Sequence, residues 1–468
     1  MRLTALILLL FTALACGGSP SGPSTPGPGG DPEVAIVWDG HTAQWGAADS
    51  LRATVTGAPA GAEVVWRSLD DFYLAQPVVL GRGPAITTAA LKPGTTTVEA
   101  ALVVVGSPVA SATRSVSVVY RESWNMALDS HVPYDDGTVG DVWVAGDHAL
   151  LARRSAGGIS IVSLTGTARE VGRFTALGLF TQDVQAEGTV AFFTHEYVSA
   201  EAAAYSSTVT ILDIADPASP RVVGTIPRTE TPTAHTVWVD GTTLYVAAPS
   251  GTRRFHSYDV SDPSAPRPLA TLASTNGSAH DMHARNGVAF GSYLALRPGE
   301  IGELVIATAD DLAPLSFTTY PGAFTHSSWL SRDGRYLYVT DEIVNAPIRI
   351  YDVSNPATPV LVGSYQPRVG TVPHHFIVRD DRFAYLSHYK HGVEVLDVSD
   401  PLRPRLVGFY DTFPGAQADV VSPAGALALA HDDSQTLYDG VWGVHWTADG
   451  RVVASDMHSG LYVLRFTP

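Results

Sequence analysis

Cysteine is almost absent from this chain of 468 residues: Cys16 is its only one. A single thiol excludes an internal disulfide framework and a cysteine-ligated metal centre. Lysine is nearly as scarce, with only Lys92 and Lys390. Lys and Arg together number 29 against 46 Asp and Glu, for a formal charge of −17. Phosphate backbones need the opposite sign, which argues against nucleic acid as a partner. Beyond residue 14 no apolar run approaches the ~20 residues that cross a bilayer as a helix. There is no G-x-S-x-G elbow, no P-loop, no H-E-x-x-H and no dinucleotide fingerprint between a strand and a helix. Methionine is sparse too, at 4 residues, whereas histidine reaches 16.

The N-terminus carries its own grammar. Met1-Arg2 precedes an apolar stretch, Leu3–Leu14, that is too short to span a bilayer comfortably. Ala13-Leu14-Ala15-Cys16-Gly17 comes next and resembles a lipobox, in which the cysteine becomes a lipidated N-terminus. That resemblance implies a signal peptide over 1–15, lipidation of Cys16, and attachment to membrane through acyl chains alone. Residues 16–31 are rich in Gly, Pro and Ser and read as a tether unable to bury apolar surface. The expected location is the cell envelope, lipid-anchored, at the outer membrane or cell surface.

Residues 32–120 show short alternating strands at 34–38, 50–57, 62–70, 96–105 and 113–120. That size and spacing suit a small β-sandwich. LKPGTTTVEA resembles the late-strand turn of bacterial Ig-like domains, and Trp66 is the candidate buried tryptophan of a central strand. An independent spacer is the reading.

From 121 onward a phrase returns. ILDIADPASPRVVG, SYDVSDPSAPRPLA, IYDVSNPATPVLVG and VLDVSDPLRPRLVG begin at 211, 257, 350 and 395, with a decayed copy at 305. Aligned on Asp213, Asp259, Ala307, Asp352 and Asp397 they lie 46, 48, 45 and 45 residues apart. This is the period of four-stranded propeller blades. The expected fold class is therefore all-β: a seven-bladed β-propeller over 121–468 behind the Ig-like sandwich. First strands begin near Gly140, Gln182, His235, His280, His326, Pro373 and Trp442. The last blade runs out after three strands, so the stretch near Ser123–Leu128 is expected to complete it and leave no open edge. The Asp residues of the phrase read as turn formers. The repeats resemble the LVIVD family of bacterial propeller repeats. The C-terminal half, through THSSWLSRDGRYLYVTDE and HHFIVRDDRFAYLSHYKHGVEVLDVSDP, also resembles exported choice-of-anchor B proteins. The resemblance implies a surface propeller on an anchor and brings no catalytic residues.

In a propeller the first strand of each blade lines the axis. First-strand starts place His235, His280, His326 and His374 at one mouth, with His375 nearby and His283 and His445 deeper. Asp141, Gln182 and Asp183 stand there in the first two blades. Second-strand ends add Arg154, His195, Asp341, His388 and Asp456, with Glu196, Glu342, His391 and His458 beside them. Imidazole with carboxylate suits a transition metal, Zn, Fe or Cu. The candidate ligands are His235, His280, His326, His374, His388, His445, Asp341 and Asp456. A hydrated polar channel is the alternative. The insertion Asp411–Gly440 crosses this face and reads as a lid. Trp238, Trp329, Phe376 and Trp446 read as packing between blades.

Two functions remain open. One is a recognition or scaffold module for a protein or glycan partner, which the tether-and-spacer layout favours. The other is a metal-dependent envelope enzyme, oxidoreductase or hydrolase, working at the channel mouth.

Overall fold

A computed structural model describes residues 31–69, 77–91, 94–177, 179–196, 207–413 and 438–468. Among these there is no helix, so none is long and apolar enough to cross a membrane. Cys16, the signal segment and most of the tether lie outside the described residues, as does most of the Asp411–Gly440 insertion.

Two sheets account for the N-terminal unit. Glu33–Val37, Asp49–Thr56 and Ala85–Thr88 make a three-stranded sheet. The other runs Ala43–Gln44, Ser107–Val119, Gly94–Val104, Glu63–Ser68, Val78–Arg82. Alternating apolar residues turn inward, with Leu51, Trp66, Val98 and Val116 fully buried. Trp66 donates its indole N–H to Gly83 O at 3.0 Å, which satisfies the one polar atom it carries inside.

The N-terminal unit is joined to the repeats. Val369, Leu406 and Phe409 belong to the same apolar core as Trp45 and Trp66. Trp45 is fully buried, packs edge-on against Phe409 with centroids 5.4 Å apart, and lies under the Arg368 guanidinium at 4.2 Å. Gly46, at φ +74°, stands where a Cβ would strike the Phe409 ring. The expectation of a free-standing spacer is corrected: apolar side chains more than 300 residues apart close one core.

Beyond residue 125 the chain is a series of small antiparallel meanders. The first is Val142–Ala145, His148–Ala152, Gly158–Ser163, Arg169–Thr175, and the pattern recurs from Val184, Thr236, Ser278, Thr325 and Phe376. The final sheet joins both ends of the chain. Val441–Trp446, Val452–Asp456 and Gly460–Phe466 are completed by Met126–Val132, paired antiparallel with Gly460–Phe466. Ser123–Trp124 instead adds a fifth strand to the preceding sheet, beside Arg405–Tyr410. First strands contact the next sheet in turn, and Val441–Trp446 contacts Val142–Ala145. The second and third strands are buried and the fourth faces solvent.

The repeated phrase makes the turn before each fourth strand. Asp213, Asp259, Asp352 and Asp397 each accept the backbone N–H two residues on, at 2.9–3.0 Å. Asp213, Asp259 and Asp397 also pair with Arg221, Arg267 and Arg405, eight residues on, across the turn. These carboxylates are structural, as their turn chemistry implies.

Candidate functional site

The site begins with a backbone irregularity. In Ser278–Arg285 the register skips from Ala279 to Asp281, and in Thr325–Leu330 from Thr325 to Ser327. His280 and His326 are the extra residues of these bulges. Val441–Trp446 skips Trp442 in the same way. Elsewhere hydrogen bonds draw the same outline. Gly140 N–H donates to Ala152 O while Ala152 N–H donates to Asp141 O. His374 N–H donates to Ser387 O and Ser387 N–H to His375 O. Two residues thus oppose one at the start of successive inner strands. A bulge breaks the two-residue alternation, so neighbouring side chains both turn toward the axis. Hydroxyls on the facing strand secure it: Thr194, Thr340, Ser387 and Ser455 accept the N–H groups of Asp183, Ser327, His375 and Gly443 at 2.9–3.2 Å.

Three layers line the axis. The mouth holds His235, His280, His326 and His374, each ring 4.2–4.4 Å from the next. One residue on come Asp141, Asp183, Asp281 and His375, which line the cavities beneath. Gly443 is needed here, since a Cβ would collide with the Asp141 carboxyl. Two residues further stand Trp143, Trp238, Trp329, His283 and His445. The tryptophans touch edge-on along the axis, with centroids 5.3–6.5 Å apart through Trp446. Their alternation alone would put them between blades. Bulge geometry sends Trp238 and Trp329 to the axis as well, and Trp143 joins them.

Two ligand groups converge at the mouth. The donor atoms of His326, His374 and His375 lie within 4.8 Å of one another, as do those of His280, His326 and Glu342. His374 donates Nδ1–H to Trp442 O at 2.6 Å, which leaves Nε2 as the lone-pair nitrogen. Glu342 approaches His326 Nε2 at 3.7 Å and His374 Nε2 at 3.9 Å and is oriented by the Tyr389 hydroxyl at 2.6 Å. The Nδ1 atoms of His280 and His326 are buried without a hydrogen-bond partner.

Burial, then neighbouring imidazoles, hold His280, His326 and His374 well below the usual histidine range. Burial takes His375 down to about 3. These rings are neutral and can donate lone pairs. Burial pushes Glu342 up to about 7, against the Tyr389 hydrogen bond and His235. His235 differs: burial is outweighed by Glu196, whose Oε2 sits 3.0 Å from Nδ1, so the pKa rises. It is the one imidazole of the mouth shifted toward its charged form. In the next layer burial raises Asp141, Asp183 and Asp281, and Asp183 adds to the rise of the other two; Asp281 reaches about 7.

The expected ligand set is therefore revised. His280, His326 and His374 converge. His235 lies beside His280 with its ring tilted, but is committed to Glu196 and belongs to neither converging group. Asp341 is paired with Arg349 and accepts from Tyr320 and Phe324, because consecutive residues leave a strand on opposite sides; Glu342 faces the histidines instead. Asp456 is spent on a turn, accepting Thr412 Oγ1 at 2.6 Å and the His458 and Ser459 N–H groups. His445 stacks on Trp446 in the deep layer. His388 lies in a second cluster with His391 and Glu394, next to Trp45. There the Glu394 carboxylate takes His388 Nδ1 and Arg368 Nε, both at 2.8 Å. Burial favours its neutral form, yet Arg368 and His388 hold Glu394 down to about 2. His375 and Glu342 enter the set; each is the chain neighbour of a residue that the strand pattern selects.

Among known proteins, the LVIVD repeat matches residues 327–367 and 380–412. No curated protein sequence matches the chain. Solved structures similar to it include the WD40 β-propeller domain of Doa1, at TM-score 0.51 and 9% identity over 73% of this chain and 97% of that one. The β-propeller domain of Myceliophteria thermophila Cps50 (Swd1) is similar at 0.51 and 13%, over 73% and 100%. Kuenenia stuttgartiensis hydrazine synthase is similar at 0.52 and 13%, over 72% and 97%. At these identities the likeness concerns fold alone. The chain is an all-β protein of propeller architecture that carries LVIVD repeats.

Proposed function

We propose that the axial mouth is a transition-metal centre of an envelope-anchored propeller lipoprotein. One observation carries this reading: two ligand groups, His326/His374/His375 and His280/His326/Glu342, overlap at His326. Four neutral imidazoles with one carboxylate suit Zn, Fe or Cu. Metal–ligand bonds of about 2.1 Å in a tetrahedron put donors roughly 3.4 Å apart, so small ring rotations close the set. Such an ion supplies Lewis-acid or redox chemistry, and the reaction class is an oxidoreductase or hydrolase. Glu196 and His235 would fix charge beside it, and Trp442 and Tyr389 would orient its ligands. Elemental analysis of the purified 32–468 fragment tests this. About one transition metal per chain is expected, abolished by combined His280→Ala and His326→Ala without loss of fold. Metal-free protein after growth and purification in metal-replete medium would refute it.

A second reading is a recognition or scaffold module for a protein or glycan. It is favoured by apolar side chains exposed on outer strands, among them Val222, Leu269, Phe317 and Leu361, each about half exposed. Both readings share one architecture: a closed seven-bladed ring completed by Met126–Val132, carried on an Ig-like sandwich. The resemblance of 325–468 to choice-of-anchor B proteins supports envelope placement. Cys16, lipidated, is the attachment, and Cys16→Ser should move the protein from membranes to the soluble fraction. A variant that resists high-salt washing of membranes would end the lipoprotein reading.

A further inference from the structure

Beneath the histidine mouth lies a chamber that shares only His375 with the proposed metal ligands. Asp141, Asp183 and Asp281 line it together with Trp143, Trp238 and Trp329. Its volume is about 40 Å³. On a scale of roughly 10–15 Å³ per water, that admits about three waters or one compact group.

The groups around this space are mostly acids, with His235, shifted toward its charged form, the cation that acts on Asp183 and Asp281. Three carboxyl groups share it, those of Asp141 and Asp183 buried and that of Asp281 partly so, and no Lys or Arg lines it. Asp183 accepts Val237 N–H on Oδ2 at 2.7 Å; its Oδ1, in a residue only 5% exposed, meets no N–H donor, and the Asp141 carboxyl lies within hydrogen-bonding reach of the Asp183 carboxyl. Two buried carboxyl groups so close either share a proton or are bridged by a cation. The tryptophans point the same way. Trp238 meets Trp143 and Trp329 edge-on at 6.0 and 5.3 Å, all three residues are half-buried, and two deeper histidines lie among them, His283 stacked on Trp329 at 4.8 Å and His445 at 4.4 Å from Trp143. Indole faces attract cations most strongly of the aromatic side chains.

We propose that this chamber binds a primary alkylammonium group, with its –NH3+ among the three aspartates and its alkyl chain leaving past the tryptophans. An ammonium has three donors, which three carboxyl groups can accept. A hydrated Mg2+ or Ca2+ ion demands six or more oxygens, and indole carbons occupy much of this wall. A trimethylated head lacks N–H donors and overfills the space. The site adjoins the mouth through His375 and does not require that a metal be bound there.

The experiment uses the full chain in non-ionic detergent at constant ionic strength. Methylammonium and propylammonium chloride are titrated against tryptophan fluorescence and by calorimetry, with tetramethylammonium, sodium, potassium and magnesium chloride as comparators. Saturable one-to-one binding of both alkylammonium probes is expected, with tetramethylammonium at least about tenfold weaker for want of charge-assisted hydrogen bonds. Asp183→Asn should weaken binding about tenfold or more, and Trp238→Phe by several-fold. Asp281→Asn carries the same test if Asp183→Asn melts early. The His280→Ala, His326→Ala protein should still bind, which separates this site from the metal centre. The proposal is overturned by absence of saturable alkylammonium binding, by equal or tighter binding of an inorganic cation, or by unchanged affinity in a folded aspartate variant.

Discussion

Trp45→Ala is the sharpest perturbation of the way this molecule is joined. Trp45 is fully buried, and it touches both units at once. Its ring packs on Phe409, meets His391 edge-on at 5.0 Å, and carries the Arg368 guanidinium at 4.2 Å. Removing a buried Trp side chain costs about 3–5 kcal/mol through lost transfer energy and the cavity left behind. Two further effects oppose one another. The indole N–H is buried without a partner, so its removal returns roughly 1–3 kcal/mol. Arg368 loses its aromatic platform on one side while keeping Glu394 and Phe409, a loss of roughly 1 kcal/mol. The net expectation is a destabilisation of about 2–4 kcal/mol. Urea unfolding of 32–468, tracked by fluorescence and circular dichroism, measures it. The wild-type fragment should unfold with the two units coupled, whereas Trp45→Ala should split the transition and Trp45→Phe should fall between. A Trp45→Ala transition within about 0.5 kcal/mol of wild type would mean the interface contributes nothing, and the shared-core argument would fail.

Two other outcomes rest on single features. Burial lowers His256 to about 4, although it is held by Thr252 at 3.0 Å. A histidine depressed on folding contributes stability in full above its unfolded value near 6.5 and loses it as pH falls toward 4. Wild type should therefore lose roughly 3 kcal/mol more than His256→Gln across that window, and parallel pH–stability curves would contradict this. A fragment starting at residue 133 lacks Met126–Val132 and leaves Gly460–Phe466 as an open edge. It should aggregate or melt far below a fragment starting at residue 121, and equal melting temperatures would show that the ring does not depend on this strand.

The repeat made the propeller legible because it acts through local chemistry. Asp213 and Asp259 bond their own turn and an arginine eight residues away, so the sequence period and the structural unit coincide. The strand that completes the last sheet was nearly legible too, displaced by three residues from 123 to 126. Trp45 was not. Its partners among the repeats lie more than 320 residues along the chain, and nothing in an alternating strand pattern marks which exposed-looking tryptophan will meet another unit.

The site was half legible for a different reason. Two-residue alternation correctly sends His280 and His326 to the mouth and then wrongly sends Asp281 and Ser327 away from it. A bulge adds one residue to one strand, which no periodic pattern of apolar side chains records. Its signature here is indirect: a hydroxyl residue on the second strand, Thr194, Thr340, Ser387 or Ser455, accepts the N–H of the bulge's second residue. The same one-residue shift brings His375 beside His374 at the axis, whereas Glu342 simply follows Asp341 out of its strand on the opposite side. Once the bulges are counted, the axis resolves into imidazoles above carboxyl groups above indoles. Each layer has its own chemistry: neutral imidazoles, buried acids and indole rings. The propeller supplies the symmetry that repeats a position around the ring. The bulge decides which side chains that position presents, and any chemistry at the axis depends on that choice.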